Sequence, residues 1–301
     1  MIVARPQVSA ARAVALIEVF TAFVLVHITY RAIKQFTVIG TWESAAKGNF
    51  TPGIVMMAFT ALVLLSFRRD FKAYGLTLDR WKENLSLGLC CTVATLAFGG
   101  LGLVLSGFAF DALHPPNPHE PIPWLQLADV LTFVALGNVV ALAIVAYSGR
   151  LFRGLPAAIS VALIAGVLVA VPLAASYLDR PSVWALVLSN FFGSGFGEEI
   201  FFRGYIQSRV DQTFDRPYQC LGFKFGMGLL VSSLLFGLIH ALNTVDYFHG
   251  KFDFGWRMGL QSIAVGLFYG LIKARTGSVL PDAIEHGPSD VLVCIPQILK
   301  S

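Results

Sequence analysis

An acidic pair interrupts an apolar stretch in the segment GSGFGEEIFFRGYI, residues 193–206. Glu198 and Glu199 are adjacent, and Arg203 follows Glu199 by four residues. Residues four apart share a helix face, so Glu199 and Arg203 can form an ion pair. Adjacent helical residues are about 100° apart, so Glu198 points elsewhere and needs a separate partner or a proton. Ionisable residues in apolar spans are costly and by default mark a functional site.

Two later apolar segments each add a histidine. LLFGLIHALN (234–243) contains His240, and LPDAIEHGPSD (280–290) contains His286 and Asp290 at helical spacing, with Pro288 between them predicting a kink. Each motif alone is compatible with a structural role. Together they provide two histidines, unpaired carboxylates and an ion pair, which favours chemistry. Such groups can activate water, ligate zinc or relay protons in a transporter.

Three glycines directly precede the acidic pair. Gly193, Gly195 and Gly197 occupy positions i, i+2 and i+4. Small residues at this spacing indicate either close helix packing or an opening in the helix wall that admits water.

The composition indicates that lipid surrounds the chain. Of its 301 residues, 56% are hydrophobic and 13% charged, whereas soluble domains carry about 25% charged residues. The mean hydropathy is +0.70. The net charge of +4 without a dense Lys/Arg tract excludes nucleic acid as a predicted partner. The four cysteines have neither metal-ligand nor disulfide-framework spacing.

These features predict an all-α fold, a polytopic transmembrane bundle of eight or nine spans forming one membrane domain over residues 1–301. A span needs about 20 mostly apolar residues. The segments that satisfy this are 13–30, 53–67, 84–107, 125–147, 156–175, 182–206, 222–242, 256–273 and 278–299. The first span is expected to be retained rather than cleaved as a signal peptide.

Lys and Arg in the short loops predict the orientation. The basic loops are expected in the cytoplasm, at 68–83, 148–155, 207–224 and after Lys273. Loop 108–124 has neither residue and is expected outside, whereas 31–52 is mildly basic although the alternation places it outside. The predicted localisation is the cell membrane, multi-pass, which is the inner membrane in a bacterium.

The three motifs resemble the CAAX protease and bacteriocin-processing family, also called CPBP or Abi. Its pattern is EExxxR, then FxxxH, then HxxxN or HxxxD on successive transmembrane helices. Here it reads, in order along the chain, Glu198, Glu199 and Arg203; Phe236 and His240; His286 and Asp290. The resemblance covers about residues 182–299, and the segment 71–88 also looks like the stretch that often precedes this domain.

The resemblance implies a membrane endopeptidase that hydrolyses a peptide bond with activated water. Glu198 would be the general base and His240 its partner, while Glu199 and Arg203 would brace the site. His286 and Asp290 would face the oxyanion. Asp290 stands where better-understood members have asparagine, and a Gly-Pro pair precedes it by two residues. An aspartate facing an oxyanion must be protonated.

Several alternatives stay open from the residues alone. Zinc is the rival within the same reaction, with Glu198, His240, His286 and Asp290 as ligands, although the HExxH arrangement is absent. Metal-free catalysis without a cofactor is preferred. Glu18 in the first span would suit a proton-coupled transporter. A catalytically silent membrane immunity or scaffold protein is the third alternative. The expected partners are membrane lipid and a peptide or protein substrate, with or without a lipid modification.

Overall fold

A computed structural model describes residues 6–113, 137–147, 159, 161–166, 168–169, 173, 182–220 and 222–300. In these ranges the chain is helical except for connecting loops and one short hairpin, which confirms the all-α class. Half of the predicted span 156–175, most of loop 108–124 and all of loop 148–155 lie outside the described residues. So does the first half of the span 125–147.

The helices are numbered in chain order. Their bounds are α1 Pro6–Phe36, α2 Val38–Ala46, α3 Phe50–Ser66, α4 Trp81–Leu113, α5 Gly137–Tyr147, α6 at 182–214, α7 Met227–Ala241, α8 Trp256–Thr276 and α9 Leu280–Lys300. Short 3-10 turns lie at Phe71–Tyr74, Leu242–Thr244 and Tyr247–His249. The antiparallel strands β1 Tyr218–Cys220 and β2 Phe223–Phe225 join α6 to α7.

Two of the described helices are long and apolar enough to cross a membrane, Ser9–Phe36 and Met227–Thr244. Helix α1 also exposes a row of large apolar side chains, including Ile17, Leu25 and Ile28, each more than half exposed. An apolar surface of this kind fits lipid rather than water. These helices support a membrane location, and the total of eight or nine spans stays a prediction.

Helix α6 carries the acidic pair and has an unusual hydrogen-bond pattern. It begins as an α-helix at Ser182–Leu188, continues as a π-helix over Ser189–Glu198 and Ile200–Gln207, and ends as an α-helix at Ser208–Phe214. The residues at the joins keep right-handed helical backbone angles, so the rod is continuous. Hydrogen bonds from i to i+5 widen a helix, and such turns are frequent at functional sites.

The glycines before the acidic pair serve close packing on two sides of α6. A Cβ on Gly197 would lie 2.4 Å from the Cα of Gly53 on α3. A Cβ on Gly195 would lie 2.7 Å from the Cα of Gly287 on α9. Of the two sequence-based alternatives, close packing is therefore the observed one. The contact with Gly287 brings α6 beside the turn of α9 that carries His286.

Replacing Gly197 with alanine should destabilise the fold by about 1–3 kcal/mol, because the added methyl group overlaps backbone that cannot move aside. The free energy of unfolding in detergent measures this. Gly166→Ala is the matched control, since no atom of the described residues lies within 4 Å of its added Cβ. Equal stability of the two variants would contradict the packing role of Gly197.

Candidate active site

Glu198 on α6 and His240 on α7 face each other across a gap. Glu198 Oε2 lies 3.9 Å from His240 Nε2, and the two side chains are 15% and 20% exposed. Glu198 Oε2 itself is buried without a hydrogen-bond partner among the described residues. The gap is too long for a direct hydrogen bond and short enough for one bridging water. The sequence-based expectation that these residues approach each other from separate helices agrees with this distance.

The backbone of α7 fixes the tautomer of His240. Its Nδ1 is 2.8 Å from the carbonyl oxygen of Phe236, one turn earlier. A carbonyl only accepts, so Nδ1 carries the proton and donates it. In the neutral ring the lone pair of Nε2 is therefore free, and it faces the Glu198 carboxylate.

Glu199 is more deeply buried than its neighbour Glu198, and it has hydrogen-bond partners. It is fully buried, and its Oε1 accepts from Arg203 Nη1 at 3.1 Å and from His286 Nδ1 at 2.9 Å. The ion pair predicted from the i,i+4 spacing is thus present and also reaches α9. Both donors bind Oε1, and Oε2 has no hydrogen-bond partner among the described residues. Glu199 is fully buried, whereas Glu198 is 15% exposed and faces His240, so Glu198 is the better candidate base of the two.

Aromatic rings surround the guanidinium of Arg203. It lies 4.2 Å from the ring centroid of Phe236 and 5.2 Å from that of Tyr269. Its Nε and Nη2 have no hydrogen-bond partner among the described residues, and the side chain is fully buried. Cation–π contacts and Glu199 together compensate this buried charge. The rings of Phe236 on α7 and Tyr269 on α8 thus pack against the guanidinium group that α6 supplies.

His286 and Asp290 share one face of α9. His286 Nε2 lies 3.4 Å from Asp290 Oδ2, and the helix continues through Pro288. The i,i+4 relation predicted from sequence is therefore kept despite the proline. Nδ1 contacts Glu199, which leaves Nε2 directed at Asp290. Asp290 is 37% exposed and can meet a substrate, whereas His286 is buried.

Tyr269 on α8 is the site residue that the sequence motifs did not indicate. Its ring stacks on the face of the His286 ring, with the two centroids 4.9 Å apart. It is 3% exposed and also borders Arg203. A tyrosine in an apolar span is not unusual. Only the packing of α8 against α9 shows that Tyr269 contacts His286 and Arg203.

Glu18, considered above as a relay residue, has both oxygens occupied. Its Oε1 accepts from Arg69 at 2.5 Å and from Tyr205 at 2.8 Å, and its Oε2 accepts from Arg209 at 2.8 Å. This arrangement ties α1 and the segment just after α3 to the C-terminal part of α6. A carboxylate held by two guanidinium groups is a structural clasp rather than a group that exchanges protons.

The described residues contain no group of three or more His, Cys, Asp or Glu side chains arranged to hold a metal ion. Of the four candidate zinc ligands, His286 has both ring nitrogens directed at carboxylates. One of these contacts, from Nε2, is to Asp290, which is itself a candidate zinc ligand. Zinc stays an alternative, and the reaction proposed for this site uses no metal.

Comparison with known proteins adds a family match. Residues 179–292 match the model of a family described as type II CAAX prenyl endopeptidase, Rce1-like. The matched segment nearly coincides with the catalytic core predicted at 182–299 and contains Glu198, His240, His286 and Asp290. No curated protein and no solved structure is significantly similar to the chain.

Proposed function

We propose that the protein is a membrane endopeptidase of the CAAX type, in which Glu198 and His240 activate water for direct attack on a peptide bond. The observation that carries this proposal is the 3.9 Å gap between Glu198 Oε2 and His240 Nε2. Both atoms are acceptors in the neutral-histidine tautomer. A water between them donates one proton to each, and its lone pairs are left to face a carbonyl carbon.

In the proposed reaction the water oxygen bonds to the peptide carbon while its proton moves to Glu198. The C–N bond then breaks, and Glu198 returns that proton to the leaving amine. In this reaction Asp290 is protonated, and its O–H donates to the carbonyl oxygen as that oxygen becomes negative. His286 Nε2 lies 3.4 Å from Asp290 Oδ2, and the exposed edge of Asp290 gives the substrate access.

An apolar cavity lined by helices that also carry the site suits a lipid group on the substrate. Its volume is about 490 Å³, and apolar side chains of α4, α6 and α9 line it, among them Leu85, Phe191, Phe196 and Ile284. Helix α6 carries Glu198, and α9 carries His286. The matched family is described as acting on prenyl substrates. We therefore propose a peptide carrying an isoprenoid chain as the substrate.

Cleavage of a peptide library by the purified protein in liposomes tests the proposed function. Half of the library carries an isoprenoid thioether on cysteine and half carries free cysteine. We expect new peptide ends, detected by mass spectrometry, chiefly in the isoprenylated half, and none with Glu198→Ala. Cleavage that persists in Glu198→Ala would contradict the proposed role of Glu198. Equal cleavage of both halves would contradict only the lipid requirement.

Substituting Asp290 separates its possible roles. Asn supplies an N–H donor at the same position, so Asp290→Asn should keep kcat within about tenfold of wild type if Asp290 donates to the oxyanion. Asp290→Ala removes the donor and should lower kcat by about 10²–10³-fold. Full activity of Asp290→Ala would contradict the oxyanion role.

The zinc alternative has its own measurement. A metal-dependent site loses activity with a strong chelator and recovers it with added zinc. With metal-free catalysis, we expect the wild-type rate to be unchanged by the chelator. Loss and zinc-specific recovery would replace the water-activation roles of Glu198 and His240 with ligation.

A further inference from the structure

The segment 242–255 follows His240 almost directly and is closed at its base. The N–H of Gly255 donates to the carbonyl of Ala241 at 2.9 Å, and Thr244 Oγ1 donates to the carbonyl of Asp253 at 2.5 Å. Asp246 and Lys251 form a bridge of two backbone hydrogen bonds between them. The segment is thus a compact loop anchored one residue after His240. A displacement of this loop would therefore shift the last turn of α7, which carries His240.

Helix α1 holds this loop through Arg31. The guanidinium donates to the carbonyls of Asn243, at 3.4 Å, and of Val245. Both carbonyls belong to the loop, just beyond the end of α7. Arg31 therefore ties α1 to the loop that follows the helix carrying His240, although it lies more than 200 residues earlier in the chain.

A second contact runs through a buried chain of rings. Tyr30 OH is 2.8 Å from His27 Nδ1, and His27 Nε2 is 3.0 Å from Tyr247 OH in the loop. His27 and Tyr30 are each 4% exposed, and Tyr30 packs in one cluster with Phe236 and Ile239 of α7.

Aromatic packing extends the same contact towards the surface. The rings of Phe36 on α1 and Phe248 in the loop are 4.7 Å apart and perpendicular. Arg31 lies over the ring of Tyr247, at 5.7 Å. Polar and aromatic contacts thus join the C-terminal end of α1 to the loop over two turns of helix.

We infer that His27, Tyr30 and Arg31 form a latch that positions His240 for catalysis, so that α1 is a working part of the active site. Helix α1 lies outside the matched segment 179–292. The inference rests on the proposed function. The latch residues act through the loop 242–255 and the end of α7, and they are positioning residues rather than catalytic ones. His240 must hold Nε2 at water-bridging distance from Glu198, and a displacement of about 1 Å is enough to lower a rate by about 10²-fold.

Two variants open the latch at separate points, and each has a matched control. Arg31→Ala removes the hydrogen bonds from α1 to the loop carbonyls. Its control, Arg80→Ala, removes an exposed arginine whose partner is the nearby Glu83. Tyr247→Phe removes one hydroxyl from the ring chain, and Tyr218→Phe removes the hydroxyl of an exposed tyrosine on β1. Arg31→Lys keeps the charge at the end of α7 and tests for rescue.

Hydrogen exchange of the loop amides in liposomes tests the latch independently of any activity. We expect exchange in 242–255 to be about tenfold faster in Arg31→Ala and Tyr247→Phe, since each loses a hydrogen bond that holds the loop. The control variants should exchange like wild type. Unchanged exchange in both latch variants would overturn the inference.

Steady-state kinetics on a cleavable peptide test the positioning role. We expect kcat of Arg31→Ala to fall by about 10–10²-fold with KM nearly unchanged, and Arg31→Lys to recover part of the loss. Faster exchange with wild-type kcat would overturn positioning of His240. If the wild-type protein cleaves nothing, the proposed function fails and the positioning role fails with it, whereas the exchange data still decide whether α1 restrains the loop.

Discussion

Replacing Glu198 with glutamine should lower kcat by about 10²–10⁴-fold without loss of stability. The amide has nearly the same shape as the carboxyl group but cannot accept a proton from water, which removes general-base catalysis. The stability is expected to stay level or rise, because Glu198 Oε2 is buried without a partner among the described residues and an uncompensated carboxylate is costly there. Single-turnover cleavage and thermal unfolding in the same detergent measure both effects.

The matched control for this prediction is Glu83→Gln, an exposed carboxylate whose partner is Arg80. It should cleave like wild type. A Glu198→Gln protein that keeps more than about a tenth of the wild-type kcat would assign the base to another group. A large drop in its unfolding temperature would instead show that Glu198 is structural.

Replacing the adjacent Glu199 with glutamine should have the largest effect on folding. The Glu199–Arg203 pair is fully buried, and His286 shares the same carboxylate oxygen. Removing one partner of a buried pair costs about 3–5 kcal/mol, since the remaining charge has no water to solvate it. The free energy of unfolding in detergent measures the loss. Activity should fall too, because the neutral amide oxygen is a weaker acceptor for His286 Nδ1 than the carboxylate is.

Two comparisons make the Glu199 prediction sharp. Glu83→Gln breaks an exposed i,i+3 pair and should lose little stability, because water screens surface pairs. The double variant Glu199→Gln with Arg203→Met removes both charges and should be more stable than Glu199→Gln alone. Glu199→Gln protein with wild-type stability would contradict the structural role of the pair.

Helical periodicity explains why much of this site was predictable. The pairing of Glu199 with Arg203 and of His286 with Asp290 follows from i,i+4 spacing, and both contacts are present. Ionisable groups in apolar spans need partners, and Glu198 does not share the face of Glu199 and Arg203. The sequence therefore predicts different roles for Glu198 and Glu199. The segment that matches the family model, residues 179–292, contains all three motifs.

Long-range packing explains what the sequence did not reveal. Nothing in the residues of α6 distinguishes i→i+5 from i→i+4 hydrogen bonds, so its π-helical region was not predicted. His27 is itself an ionisable residue in an apolar span, and the rule that drew attention to Glu18 applies to it equally. Its partner Tyr247 is 220 residues away, so the contact depends on how α1 packs. For Glu18, the sequence suggested a relay, whereas its two arginine partners come from distant segments.

Single-turnover cleavage by the set of wild type, Glu198→Gln, His240→Ala and the double variant tests the central claim most directly. If Glu198 and His240 hold one water between them, they act as a unit and their losses are not additive. We expect the double variant to cleave at nearly the rate of Glu198→Gln alone. A double variant whose loss equals the product of the two single losses would contradict the claim that Glu198 and His240 activate the same water.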